Sequence, residues 1–258
     1  MARDIRSDAD ASTFWFFRRH SRVHLFVPNL IGYARILCAL GAFSFGMTSP
    51  GYMIALYFLS FACDELDGRF ARMLGQQSTL GAVLDMVTDR VATCGLVTVL
   101  FGRITAVLPQ HGDVMGISVD HIRVVTTVVL IGLVFLDVFS HWFHMYASLA
   151  QKGLGSSHKD TSKKDTWLLR MYYKHRLFMG YCCVSVEVMY LALYLLTFYL
   201  TGGPLLHWLY GIVIAAAPGF LLKQVANTVQ LRDASKHLIE LDDVNQQRRR
   251  TRLSSRRM

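Results

Sequence analysis

Charge is scarce in this sequence. Only 17% of the 258 residues are Asp, Glu, Lys or Arg, 53% are hydrophobic, and mean hydropathy is positive at +0.33, a balance that excludes an ordinary soluble fold. Paired metal-type cysteines are missing as well. Cys38, Cys63, Cys94, Cys182 and Cys183 all fall in apolar helical runs and none forms a CxxC pair, which excludes a cysteine-based zinc site and predicts buried small hydrophobes. No apolar run follows Met1, so no cleavable signal peptide is expected and insertion rests on the first hydrophobic helix. No internal repeat stands out, which excludes a repeat array.

What the sequence has is apolar length. A helix crosses about 30 Å of hydrocarbon with roughly 20 residues, and six segments meet that need: Leu30 to Gly46, Tyr52 to Leu66, Leu80 to Phe101, Ile122 to Leu149, Phe178 to Leu200 and Leu205 to Leu222. The expected fold is an all-α integral membrane protein with six transmembrane helices. Upstream, "STFWFFRRHSRVHLFV" sets Phe14, Trp15, Phe16 and Phe17 beside Arg18, Arg19 and Arg22, a mixture suited to an amphipathic helix lying on the headgroups. Residues 1–24 are thus expected to be a cytosolic extension with an interfacial helix, 25–226 the six-helix membrane domain, and 227–258 a basic cytosolic tail, in which "VQLRDASKHLIELDDVNQQ" keeps a modest helical pattern before the irregular "RRRTRLSSRRM".

Basic residues are concentrated on one side of this topology. Five Lys/Arg lie in residues 1–25, seven in 150–176 and eight in 227–258, whereas the short loops on the opposite side contain Arg103 alone. The positive-inside rule then places both termini in the cytosol. The net charge of +9 is read as a surface for an anionic leaflet rather than for nucleic acid. "TSPG" at 48–51 is too short for anything but an antiparallel hairpin, and Gly102 to Asp120, with Pro109, reads as a non-cytosolic loop. Arg35, near the cytosolic end of the first span, is explained by snorkelling.

Against this background "CDELDGRFARMLGQQSTLGAVLDMVTDR" (63–90) is anomalous, because an ionised side chain near the bilayer centre costs several kcal/mol. Asp64, Asp67, Gly68 and Ala71 follow i, i+3, i+4, i+7, and Gly81, Asp85 and Asp89 step by four, so each set occupies one helix face. A turn at "LGQQST" brings the two faces together near the cytosolic boundary. Four clustered carboxylates raise one another's pKa unless cations compensate. An all-oxygen set without His or Cys selects Mg²⁺ or Mn²⁺ over zinc, and four carboxylates suffice for two ions on a phosphoryl group. Gly68 and Gly81 allow close approach of a phosphate or base, and Arg72 presents a planar fork for phosphate oxygens.

The pattern Asp64-x2-Asp67-Gly68-x2-Ala71-Arg72-x8-Gly81-x3-Asp85-x3-Asp89 resembles the signature of the CDP-alcohol phosphotransferases. That resemblance implies Asp64, Asp67 and Asp85 as metal ligands, Asp89 as the base beside a second metal site, and a CDP-diacylglycerol pocket lined by Asn29, Gly68, Ala71, Arg72 and Gly81. A carboxylate beside cations is a feeble base alone, so the metal must help acidify the attacking hydroxyl.

A narrower likeness over Leu25 to Val225, carried by "LFVPNLIGYARI", "GAVLDMVTDR", "LDVFSHWFHMYASL", "SSHKD" and "LLRMYYKHR", is to the eukaryotic phosphatidylinositol synthases. It implies transfer of a phosphatidyl group to myo-inositol with release of CMP, a homodimer in the bilayer and residence in the endoplasmic reticulum. Asp137, His141 and His144 share one face of the fourth span and Ser157, His158 and Lys159 adjoin it. Asp137, His141 and the three loop residues are candidates for the acceptor site, with interhelical hydrogen bonding as their other reading. Two alternatives stand beside this one: the same chemistry with serine or glycerol phosphate as acceptor, and a non-catalytic membrane scaffold.

Overall fold

A computed structural model of the chain describes residues 23–153, 175–200 and 202–255. The predicted interfacial helix before residue 23 and the acceptor candidates Ser157, His158 and Lys159 lie outside the described residues. Six long helices are present among those described: α1 Val27–Ser44, α2 Pro50–Met73, α3 Thr79–Val107, α4 Val119–Gly153, α5 Arg176–Tyr199 and α6 Pro204–Ser255. A two-stranded hairpin, β1 Asp113–Val114 and β2 Ile117–Ser118, separates α3 from α4. Five helices are long and apolar enough to cross a membrane, as in a multi-pass membrane protein. The helix outside that set is α2, whose C-terminal half carries Asp64, Glu65, Asp67, Arg69 and Arg72.

The chain divides into two compact units, Met1–Gly102 and Arg103–Met258. In the first, α1 and α2 form the short-linked hairpin expected from "TSPG", with Pro28 and Pro50 in their opening turns, where a missing N–H costs nothing. Polarity is reversed relative to a soluble helix. Along α1 the Arg35 side chain is buried (4% exposed) while Leu37 is 69% exposed, because the outward face has hydrocarbon as its solvent.

The turn from α2 to α3 follows from its residues. Gly75 takes a left-handed conformation (φ +63°), which costs a residue with a Cβ about 1–2 kcal/mol, and the Gln76 N–H donates to the Ala71 carbonyl at 3.0 Å, closing the helix as a Schellman motif. The Gln76 side-chain oxygen accepts the Val27 N–H at 2.9 Å, satisfying a free donor at the start of α1. Ser78 caps α3 by accepting the Gly81 N–H at 3.0 Å. One short turn therefore ties three helices together at the end that carries the aspartates.

In the second unit, α6 packs against α4 and α5. Gly219, just after Pro218 in the helix, permits the approach to α5, since a Cβ there would collide with Ser185 and with the Tyr181 ring. Arg103 anchors the opposite end of α5, with its guanidinium 3.6 Å from the centre of the Phe198 ring and donating to Thr197 Oγ1 at 3.3 Å.

Three expectations are corrected. The apolar span ends near Leu222 and the helical pattern of 229–247 is as expected, but α6 is unbroken between them and runs on to Ser255 through the Arg-rich segment expected to be irregular, because no Gly or Pro interrupts 220–255. The cysteines are not uniformly buried. Cys182 is, but Cys38, Cys63 and Cys94 are partly exposed and Cys183 is exposed, as an apolar side chain facing lipid can be. Arg35 does not snorkel outward but points into the unit. For the turn, Gly75→Ala is expected to lower unfolding stability by about 1 kcal/mol and Gly75→Asn by less, since Asn tolerates the left-handed region; thermal unfolding in detergent would measure both, and equal stability for all three proteins would contradict the assignment.

Candidate functional site

The acidic residues come from two converging helix ends. Asp64 and Asp67 lie in the last three turns of α2, Asp85 and Asp89 in the first three of α3, and the Gly75 turn sets the register between them. One carboxylate oxygen from each of Asp64, Asp67 and Asp85 lies within 4.8 Å of the others. That spacing and an all-oxygen donor set fit a hard divalent cation.

Arg35 stands inside this set. Its Nη1 donates to Asp64 Oδ1 at 2.5 Å and to Asp85 Oδ1 at 3.1 Å, and its Nη2 donates to Asp89. Ser60 Oγ donates to the Arg35 carbonyl at 3.0 Å, which fixes the backbone from which the guanidinium reaches. A delocalised fork with five donors suits bridging of this kind better than a lysine ammonium would. Asp89 meets a second guanidinium, Arg90 Nη2, at 3.5 Å. Asp89 is thus joined to the three-carboxylate group through Arg35. The four aspartates and Arg35 together leave a formal charge deficit that Arg35 alone cannot fill.

Beside the carboxylates, the proposed nucleotide residues pair off. Arg72, exposed at the end of α2, lies over Gly68, where a Cβ would sit 3.4 Å from its Nη1. Asn29 is buried, and its Nδ2 donates to the Val23 carbonyl at 2.6 Å. This bond decides which way the amide faces, and so turns Oδ1 toward Gly81, where a Cβ would stand only 2.8 Å away. Gly81 is therefore needed for the Asn29 rotamer as well as for ligand approach. Asn29 Oδ1 is buried with no hydrogen-bond donor among the described residues, a state that costs about 1–3 kcal/mol if left unfilled.

The remaining candidates belong to the second unit. Asp137 and His141 come together on α4, with His141 Nδ1 donating to the Asp137 carbonyl at 2.8 Å. They meet two α6 residues absent from the sequence reading: Asn227 Nδ2 donates to Asp137 Oδ1 at 3.2 Å, and Lys223 Nζ lies 3.5 Å from His141 Nε2. Arg35 was visible in the sequence but assigned to snorkelling, and its pairing with three aspartates has no local signature. Lys223 and Asn227 were hidden because they follow the point at which apolar residues stop dominating.

Comparison with known proteins bears on this geometry. A family model described as CDP-alcohol phosphatidyltransferase matches residues 25–215. The chain is 36% identical over 237 residues to the Arabidopsis thaliana protein named CDP-diacylglycerol–inositol 3-phosphatidyltransferase 1, covering 88% of this chain and 94% of that one. Proteins named CDP-diacylglycerol–inositol 3-phosphatidyltransferase in Saccharomyces cerevisiae and Homo sapiens are 35% and 34% identical, over 85% of this chain and 89% and 94% of their own lengths. No solved structure matches the chain.

The role of Arg35 can be measured without turnover. Removing one partner of a buried ion pair costs about 3–5 kcal/mol, and because the aspartates here remain partly exposed, Arg35→Gln is expected to cost about 2 kcal/mol by the same reasoning. The loss should be largest in EDTA and shrink as Mg²⁺ or Mn²⁺ is added, since the cations supply the missing charge. A loss of the same size with and without metal would mean that Arg35 is a packing residue unrelated to the site.

Proposed function

The chain belongs to the CDP-alcohol phosphatidyltransferase family, and from that premise we propose that it transfers the phosphatidyl group of CDP-diacylglycerol to myo-inositol and releases CMP. The observation that carries the reading is the convergence of Asp64, Asp67 and Asp85 in a chain whose relatives, over 85–88% of its length, bear the name of that activity. In the reaction an inositol hydroxyl oxygen forms a bond to the β-phosphorus, the bond from that phosphorus to the CMP oxygen breaks, and the hydroxyl proton passes to Asp89.

Asp64, Asp67 and Asp85 are the residues that would hold Mg²⁺ or Mn²⁺, with Asp89 completing a site for two ions. Bound there, divalent cations would neutralise the diphosphate and stabilise CMP as leaving group. Asn29 contributes differently. Its free Oδ1 is an acceptor, so it suits a donor on the nucleotide, an amino or hydroxyl group, rather than a phosphate oxygen. Arg72 offers its fork to the phosphates across the open face of Gly68. Arg35 is a positioning residue that keeps Asp64, Asp85 and Asp89 aimed inward. Holding acceptor and donor in attack geometry supplies much of the acceleration in such transfers. Asp137 and His141, with Ser157, His158 and Lys159, form the acceptor side of the proposal.

Six crossings, with both termini and the aspartates in the cytosol, are supported by charge and length. Twenty-four residues of α2 extend about 36 Å at 1.5 Å per residue, enough to span. An even number of crossings is also what puts the basic segments 1–25, 150–176 and 227–258 on one side. The endoplasmic reticulum is the membrane proposed, on the strength of the eukaryotic relatives. The homodimer keeps its place in the proposal because the α4 face bearing Val124, Val128, Phe135 and Trp142 is exposed and apolar, able to meet a second copy as well as lipid.

Purified protein should release CMP from CDP-diacylglycerol when myo-inositol and Mg²⁺ or Mn²⁺ are present, and not with serine or glycerol 3-phosphate in its place. Asp89→Asn should lower turnover by about 10²-fold or more, the scale of a general base, while binding of CDP-diacylglycerol persists. Release driven by a different acceptor would overturn the substrate assignment, and simultaneous loss of binding and turnover in Asp89→Asn would remove the base role.

A further inference from the structure

The connection between α3 and α4 folds into the hairpin Asp113–Ser118, and the residues at its tip run against the chemistry of their backbone. Asp113 pairs with Ser118 and Val114 with Ile117, so Met115 and Gly116 form the turn. Their φ angles are +53° and +80°, the geometry of a two-residue type I′ turn, which favours Asn-Gly or Asp-Gly because both central residues are left-handed. Met115 is the one non-glycine residue with positive φ among those described. A long apolar side chain is held where its backbone is strained, and strain of this kind is kept where a function depends on the residue.

Exposure makes that choice costlier still. Met115 is 98% exposed and Ile117 51%, whereas the polar pair Asp113 and Ser118 stands at the base of the hairpin. A turn facing water has the reverse order, with polar residues at its tip. The tip is also firmly based. Arg123, near the start of α4, donates through Nη2 to the Pro109 carbonyl at 2.7 Å and through Nη1 to the Gln110 carbonyl at 3.1 Å. The Val119 N–H donates to the Gly112 carbonyl at 3.0 Å, and Val119 itself is buried. The hairpin is fastened to α4, and its apolar tip is presented on a fixed base.

What covers the tip follows from its place and its size. Both α3 and α4 are long and apolar enough to cross a membrane, and the hairpin lies between Val107, which ends one, and Val119, which starts the other. Extended chain from Val119 back to Met115 reaches at most about 14 Å, and the polar region of each leaflet adds about 5–7 Å to the hydrocarbon, so the tip stays close to lipid. No Lys or Arg occurs in 108–118, so the loop has no charge to attract an anionic macromolecule. A stable protein contact covers about 800 Å² on each partner, far more than one methionine and one isoleucine supply. An apolar tip entering lipid needs no such area, because hydrocarbon surrounds it.

We propose that this hairpin is a membrane anchor, with the Met115–Gly116 tip and Ile117 entering the boundary between headgroups and acyl chains in the leaflet at the C-terminal end of α3. Through Arg123 and Val119 the anchor sets the depth at which α4 begins. In that boundary the side chain of Met115 leaves water, which offsets the strain of its backbone. The anchor is independent of the reaction proposed above.

The native methionine supplies the first readout. Full-length protein in nanodiscs of zwitterionic phospholipid is treated with hydrogen peroxide, which converts methionine to its sulfoxide, and oxidation at Met115 is followed by mass spectrometry beside a synthetic peptide of residues 109–119. Met115 is expected to oxidise about tenfold more slowly in the protein, because burial of a methionine side chain lowers its water-exposed population by at least that factor. Oxidation at the rate of the peptide overturns the anchor, since the fold alone leaves this side chain open. Protection that grows with the protein-to-lipid ratio assigns the tip to a second copy and overturns it as well.

Met115→Trp reports depth. Taken as the difference from the wild-type protein with its four tryptophans, the added emission should be blue-shifted, quenched by phospholipid brominated near the top of the acyl chain, and insensitive to iodide. Quenching by iodide without quenching by the brominated lipid puts the tip in water and removes the proposal. If Met115→Trp fails to fold, the oxidation rate of the wild-type protein decides alone.

Discussion

Four carboxylates can share one end of a membrane helix bundle only if positive charge stands among them, and in the chain itself that charge is chiefly Arg35, with Arg90 beside Asp89. Its guanidinium reaches Asp64 on α2 and both Asp85 and Asp89 on α3 from a backbone held by Ser60. The three helices of the first unit are therefore tied by a polar clamp at the depth where apolar packing alone would leave like charges opposed. The same clamp restrains three aspartate side chains before any cation arrives, so less ordering remains to be done on binding. The turn at Gly75 and Gln76 reinforces it from outside, since one short segment ends α2, satisfies α1 and leads into the cap of α3.

The convergence of the aspartates was legible in the sequence for a simple reason. Helical periodicity fixes which residues share a face, and a five-residue turn leaves two faces few ways to miss each other. Asp64, Asp67 and Asp85 accordingly meet where the spacing puts them. Arg35 was not legible in its role, because a single arginine near a span's end satisfies both snorkelling and inward pairing, and only its neighbours distinguish them. Lys223 and Asn227 were missed for a different physical reason. Hydropathy averages over all faces of a helix, so α6 seemed to leave the membrane at Leu222, where its outer face was still apolar and its inner face had become polar. The helical pattern over 229–247 was visible, but the extension of α6 through the Arg-rich end to Ser255 was not, since a run of like charges reads as a solvated tail.

The two units treat buried charge in opposite ways, and the contrast carries chemical meaning. In the first, four carboxylates face the guanidiniums of Arg35 and, at Asp89, Arg90, so Asp64, Asp67, Asp85 and Asp89 retain a deficit that divalent cations are suited to fill. In the second, Asn227 Nδ2 donates to Asp137 Oδ1, and the buried acceptors without a donor among the described residues are the amide oxygens of Asn227 and Gln224. A site left negative by its own residues recruits cations and, through them, a diphosphate.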